Sequence, residues 1–162
     1  MDEVAFWILI QSAHDASGGD MNKKCEAVKA SIAKLTKNDA LEFFRIFQEL
    51  RQRAFSWPLW GAAYVIHGGC GDDTFDDFRT SLISRGRLAY EKAMADPDSL
   101  ADDDIDEETW FFEGFQYAVR QSVEAVAGPS IPNVPHPLKP TGTQWLEDEV
   151  YKLFPKLAKL FA

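Results

Sequence analysis

The chain has 162 residues, 46% of them hydrophobic and 13% aromatic, and a formal net charge of -9. These figures indicate one globular domain with a core built from large rings, because a chain of this length buries roughly two thirds of its unfolded surface. The negative balance excludes binding to nucleic-acid phosphates or an anionic membrane surface, both of which need Lys and Arg. It admits a basic protein partner, a cationic ligand or a divalent cation, and equally a chain that charge simply keeps in solution.

Asp2 and Glu3 stand where a secretory signal requires positive charge. No apolar run approaches the ~20 residues that span a bilayer, so a cytoplasmic location is expected. The two cysteines, Cys25 and Cys70, are far apart and form neither a disulfide scaffold nor a Cys-x-x-Cys pair.

In chain order, residues 1–17 predict a helix capped by Asp2, with Val4, Trp7, Ile8, Ile10 and Ala13 on its inner face and His14 near it. Asp20 caps a second helix. Its stripe of Met21, Cys25, Val28, Ile32 and Leu35 leaves Lys23, Lys24, Lys29 and Lys34 on a solvated face. Asn38 is the expected cap of a third, central helix carrying Phe43, Phe44, Ile46, Phe47 and Leu50. Arg45, Arg51 and Arg53 around it are expected to pair with acidic segments.

Pro58 suits a first helical turn, and residues 59–67 form a short helix that is apolar nearly all round. Gly68 and Gly69 end it, and Asp72 or Asp73 caps the next helix, with Phe75, Phe78, Leu82 and Ile83 inward. Gly86 interrupts before a short helix over residues 88–95. Asp96-Pro97-Asp98-Ser99 is turn chemistry. The run ADDDIDEE at residues 101–108 lacks the spacing of a calcium loop and reads as an acidic helix start. The helix after it, residues 106–127, is expected to be the longest, with Gly114 marking close approach of another helix.

Residues 128–142, GPSIPNVPHPLKPTG, repeat proline at intervals of three and predict a polyproline-type arm with a solvated His136. Thr143 caps a final helix over residues 143–162 that Pro155 kinks or ends. No strand pattern is present. The expected architecture is all-α: a helical domain over residues 1–127, a proline-rich arm over 128–142, and a C-terminal helix that docks on the body or reaches into a second subunit of a homo-oligomer.

The stretch LWGAAYVIHGGCGDDTFDDFRTSLISRGRLAYEKAMADPDSLA, residues 59–101, together with Phe6-Trp7 and Leu9-Ile10, resembles a bacterial family of domains of unknown function, family 4240. The resemblance covers roughly residues 1–127. It implies a small intracellular helical domain and brings no activity, cofactor or mapped site residues.

The residue types that carry chemistry gather at the glycine turn: His67, Cys70, Asp72, Asp73, Asp76 and Asp77 fall within eleven residues. His67 and Cys70 have a spacing on which a metal ion can draw, and Asp can complete such a shell. Asp72 with Asp76, and Asp73 with Asp77, share helix faces at four-residue spacing. A structural reading stands beside this one, with the glycines turning the chain, one aspartate capping a helix, and the others pairing with Arg79, Arg85 or Arg87. Cys70, just before a helix N-terminus, is the best thiol nucleophile, with His67 as its base. No Gly-x-Ser-x-Gly elbow and no Walker phosphate loop is present. The chain therefore reads first as a non-catalytic, acidic binding or interaction domain, with a protein partner or an immunity-like role. The alternative is a metal-dependent or thiol enzyme at residues 67–77. No catalytic residue and no resident cofactor is assigned.

Overall fold

The computed structural model of the protein describes residues 1–162. It is all-α, with ten helices and no strand: α1 (Glu3–Ser17), α2 (Met21–Ile32), α3 (Lys37–Arg53), α4 (Trp57–His67), α5 (Asp72–Ser84), α6 (Arg87–Ala95), α7 (Glu107–Trp110), α8 (Gly114–Ala127), α9 (Val150–Leu153) and α10 (Pro155–Phe161). A 3-10 turn, Pro97–Asp102, follows α6. No helix is long and apolar enough to cross a membrane.

The hub is α5, which packs against α1, α3, α4, α6, α7 and α8. Its position follows from its composition. Phe75, Phe78, Leu82 and Ile83 are fully buried, and Thr80, Ser81 and Ser84 are buried beside them. The small hydroxyls keep their hydrogen bonds local, so burying them leaves nothing unpaired. Ser84 Oγ donates to Ser81 O at 2.6 Å. Ser81 Oγ does more, accepting from Phe112 N at 2.9 Å and donating to Phe112 O at 3.3 Å.

That clasp explains a departure from expectation. The single helix predicted over residues 106–127 is broken into α7 and α8, and the break is at Phe112, whose backbone groups turn to Ser81. Gly114 answers to the same break, since a Cβ there would lie 2.8 Å from the ring of Phe112. No second helix dictates it. The longest helix is α3, with 17 residues. Asp106 caps α7 as the acidic run implied, accepting from Thr109 N at 2.7 Å.

Other caps and faces shift by small amounts. Thr36, not Asn38, caps α3 through Asp39 N at 3.1 Å. Ser56 caps α4, which starts at Trp57. Gly71, not an aspartate, holds the N-cap of α5. On α1 the buried face is Phe6, Trp7, Ile10 and Ala13, whereas Val4 and Ile8 are exposed. Contact of the Phe6 ring with Phe43, centroids 4.7 Å apart, sets that rotation. The largest reversal is Lys24. Expected in water, it is 1% exposed and donates to Ser84 Oγ at 3.1 Å.

The chain beyond α8 folds back on the body. Val134, in the proline-rich segment, is held by two glutamines of α3. Thr141 forms an isolated parallel bridge with Ser56. The predicted last helix is two short ones, because residues 143–149 are not helical and Pro155 starts α10 instead of bending a longer helix. Val150, Phe154 and Leu157 are buried. Asp98 accepts from Lys156 N at 3.2 Å and Leu157 N at 3.0 Å, tying the start of α10 to the 3-10 turn. Trp145 Nε1 donates to Trp57 O at 2.7 Å.

Gly61 on α4 makes this docking sterically feasible. A Cβ there would stand 2.6 Å from the Phe154 ring and 2.9 Å from Trp145 Nε1. Gly61→Ala is therefore expected to cost about 1–3 kcal/mol, the range for overpacking a filled site, and to speed proteolysis of residues 143–149 under native conditions. Unchanged protease resistance would show that this contact does not hold the C-terminal helices.

Candidate functional site

The turn between α4 and α5 is built from backbone. Gly68 ends α4 at φ 74 and Gly69 follows at φ 118, a region that side-chain-bearing residues rarely enter. Trp60, about two turns back on α4, donates its Nε1 to Cys70 O at 2.8 Å and so fixes the turn's far side. Trp60 in turn stacks between Trp57 and Phe75, at 5.3 and 4.9 Å. The aromatic entry to α4 thus serves packing.

The structure does not gather the residues named from the sequence around one point. His67 is exposed, with Nδ1 2.9 Å from Gly69 O and its ring beside Phe111. Cys70 faces the packed side of the turn, and burial pushes its thiol up to about 12. That reverses the lowered thiol expected ahead of a helix N-terminus, since desolvation of the thiolate outweighs the helix field. Asp77 turns toward α8, where Gln116 Nε2 donates to it at 3.0 Å. Burial first, and the neighbouring Glu113 second, push its carboxyl up to about 6. No three His, Cys, Asp or Glu side chains come together in a group that could hold a metal ion.

Asp72, Asp73 and Asp76 do share one site. They line a cleft of about 430 Å³ together with Arg51, Phe55, Arg79, His136, Pro137 and Leu138. Its frame is an ion cluster. Arg51 grips Asp76 with Nε and Nη2 in a two-point contact, the planar match that guanidinium and carboxylate make best. Arg79 Nη2 donates to the same carboxylate at 3.2 Å, and its Nη1 donates to Arg51 O at 3.0 Å.

Arg79 is the unusual member. It is 2% exposed, lies between the rings of Phe55 and Phe75 at 4.8 and 4.9 Å, and has an enclosed Nε without a partner. Burial pulls its guanidinium down to about 10, which leaves it charged at neutral pH. Two aromatic faces and one shared carboxylate replace the water it has lost. Arg85 and Arg87 take no part, one covering the Trp110 ring and the other paired with Glu91.

Within α5, the ion pairs are made by Asp76 alone. Asp72 and Asp73, in the exposed first turn, keep their carboxylates free at the rim of the cleft. The opposite rim comes from the proline-rich segment. His136 is exposed, as expected, but not unpartnered: its ring packs edge-on against Phe55 with centroids 4.7 Å apart.

Sequence reasoning reached Asp72, Asp73 and Asp76, left Asp76 to pair with any of Arg79, Arg85 or Arg87, and assigned Arg51 to an acidic partner without naming one. It missed Phe55 and His136. The signal for Arg79 was available: at i+3 from Asp76 and i+4 from Phe75, it shares the inner face of α5.

Residues 1–124 match the family described as a protein of unknown function, DUF4240, and the chain belongs to that family. No curated protein and no solved structure matches it. The matched residues include every α3 and α5 side chain of the cleft, whereas His136, Pro137 and Leu138 lie beyond them.

Proposed function

We propose that this DUF4240 member is a non-catalytic binding domain that seats a cationic side chain of a basic protein partner in the cleft beside α5. The observation that carries the reading is the division of labour among charges. Asp76 is consumed by Arg51 and Arg79, which fix the walls, while Asp72 and Asp73 stand free at the opening. A lysine or arginine side chain entering there meets two carboxylates, and its stem meets Phe55, Pro137 and Leu138. The net charge of -9 favours approach of such a partner.

Calorimetric titration with capped tetralysine and capped tetraglutamate peptides tests this. The expected result is saturable binding of the lysine peptide only, weakened roughly tenfold, or about 1.4 kcal/mol, in the double variant Asp72→Asn, Asp73→Asn. A triple substitution of Asp102, Asp103 and Asp104 by Asn, in the other acidic run, should leave that affinity in place. Equal losses from both variants would reduce the effect to overall charge and overturn the reading.

A further inference from the structure

Beside the acid cleft, α3 carries a second recognition device that owes nothing to charge. Gln48 and Gln52 stand one turn apart. Gln48 Oε1 accepts from Val134 N at 2.9 Å, and Gln52 Nε2 donates to Val134 O at 2.9 Å. Two side chains thereby grip both backbone groups of one residue, as a neighbouring strand would, without regard to what that residue is. Gln48 is 7% exposed. Its buried carbonyl has this one donor, and losing it would leave a desolvated acceptor unpaired.

The grip continues along the segment. His136 lies on Phe55. Further on, Trp57 N donates to Thr141 O at 2.8 Å and Thr141 N donates to Phe55 O at 3.0 Å. A gap of about 150 Å³, lined by Gln48, Arg51, Gln52, Asn133, Val134 and His136, remains under the segment. Every group that does the holding falls within residues 1–124, the part matched by the family, and the segment held falls outside it. Pro132 and Pro135 bracket the gripped residue. Neither carries an N–H group, and both stiffen the chain before it docks.

We infer that this face of α3 is a docking groove for a linear, uncharged, proline-flanked peptide, and that residues 131–138 occupy it in cis as a displaceable pseudo-ligand. The tether keeps the cis segment at a high effective concentration, so a free peptide competes only when the tethered copy is loosened. The groove does not depend on the cation reading, and the probe below carries no Lys, Arg, Asp or Glu.

The test uses the full chain and a capped, fluorescent peptide of residues 130–138, SIPNVPHPL. Val134→Pro in the chain removes the amide that Gln48 accepts and loosens the strap. His136→Ala loosens it from the exposed side without touching Gln48, and serves if the first variant does not fold. Fluorescence anisotropy should show affinity at least roughly tenfold higher for either folded variant than for the unaltered chain. A peptide with proline in place of its valine should lose that gain, because it cannot donate to Gln48. Association of two chains through exchanged straps, seen by light scattering and competed by the free peptide, would support the same groove. Equal or absent peptide binding by the unaltered and loosened chains, or a gain that the proline-bearing peptide keeps, would overturn the inference.

Discussion

Asp76→Ala is expected to destabilise the protein by about 3–5 kcal/mol, the cost of leaving a buried charge without its partner, and to lower the thermal midpoint by roughly 10 °C. The reasoning rests on who shares the carboxylate. Arg51 and Arg79 both bond to it, and the Arg79 side chain is 3% exposed. Without Asp76, two guanidiniums face each other, and one of them has no route to water. The Phe55 and Phe75 rings attract Arg79 but do not neutralise it. Adding Arg51→Met to Asp76→Ala removes one orphaned charge and should recover part of the loss, so a double-mutant cycle measures the coupling directly. A cost below about 1 kcal/mol, typical of an exposed pair, would show that the cluster is solvated and is not the frame of the cleft.

Lys24→Met is expected to act in the opposite direction, stabilising the fold by about 2–3 kcal/mol at pH 7. Burial holds the Lys24 ammonium down at about 8 from its ordinary 10.5, and Arg85 pushes in the same direction. No carboxylate reaches it. Its bond to Ser84 Oγ is its hydrogen bond to the protein, and that hydroxyl keeps a second partner in Ser81 O. His14, on the facing helix, is also lowered, by burial first and then by Lys24 and Arg85. The depression of Lys24 from 10.5 to about 8 corresponds to roughly 3 kcal/mol, at about 1.4 kcal/mol per unit. Because the folded value is depressed, the unfolded chain binds more protons between pH 8 and 10.5, and stability rises with pH across that window. Below pH 8 the full penalty is present. Methionine fits the same apolar stem and removes the charge. In chemical denaturation at pH 7, 8, 9 and 10 the stability advantage of the variant should shrink as pH rises above 8, a difference that the raised Cys25 and Cys70 thiols, common to both chains, leave unaffected. A destabilised variant with the same pH slope would contradict the assignment.

These two residues also mark what the sequence conveys and where it stops. Helix existence follows from apolar spacing and capping chemistry, so α1 with Asp2 and α2 with Asp20 emerge as expected. Burial of Lys24 does not: position 24, at i+3 from Met21 and i−4 from Val28, borders the apolar stripe, but a lysine there reaches water until the approach of α5 encloses it. The break at Phe112 is equally invisible locally. It requires Ser81, 31 residues away, to offer one hydroxyl to both of its backbone groups. At the cleft, the aspartates were visible because they are dense in the sequence. Density, however, does not predict direction: Asp77 turns to Gln116, Cys70 packs inward, and Asp76 reaches Arg51, 25 residues back. The proline-rich segment was visible as a composition break. That it returns to α3 depends on Gln48 and Gln52, two residues that resemble any surface glutamine until Val134 lies between them.

The central claim, that the chain receives a cationic group at Asp72 and Asp73, is tested most directly by amide chemical-shift mapping with the capped tetralysine peptide. The expected shifts centre on residues 72, 73 and 76 and on residues 136–138 across the cleft, and they saturate together. The acidic run at residues 102–108, which carries more negative charge but lines no part of this cleft, should move little. Shifts as large at residues 102–108 as at residues 72–76, with no common saturation, would contradict the account.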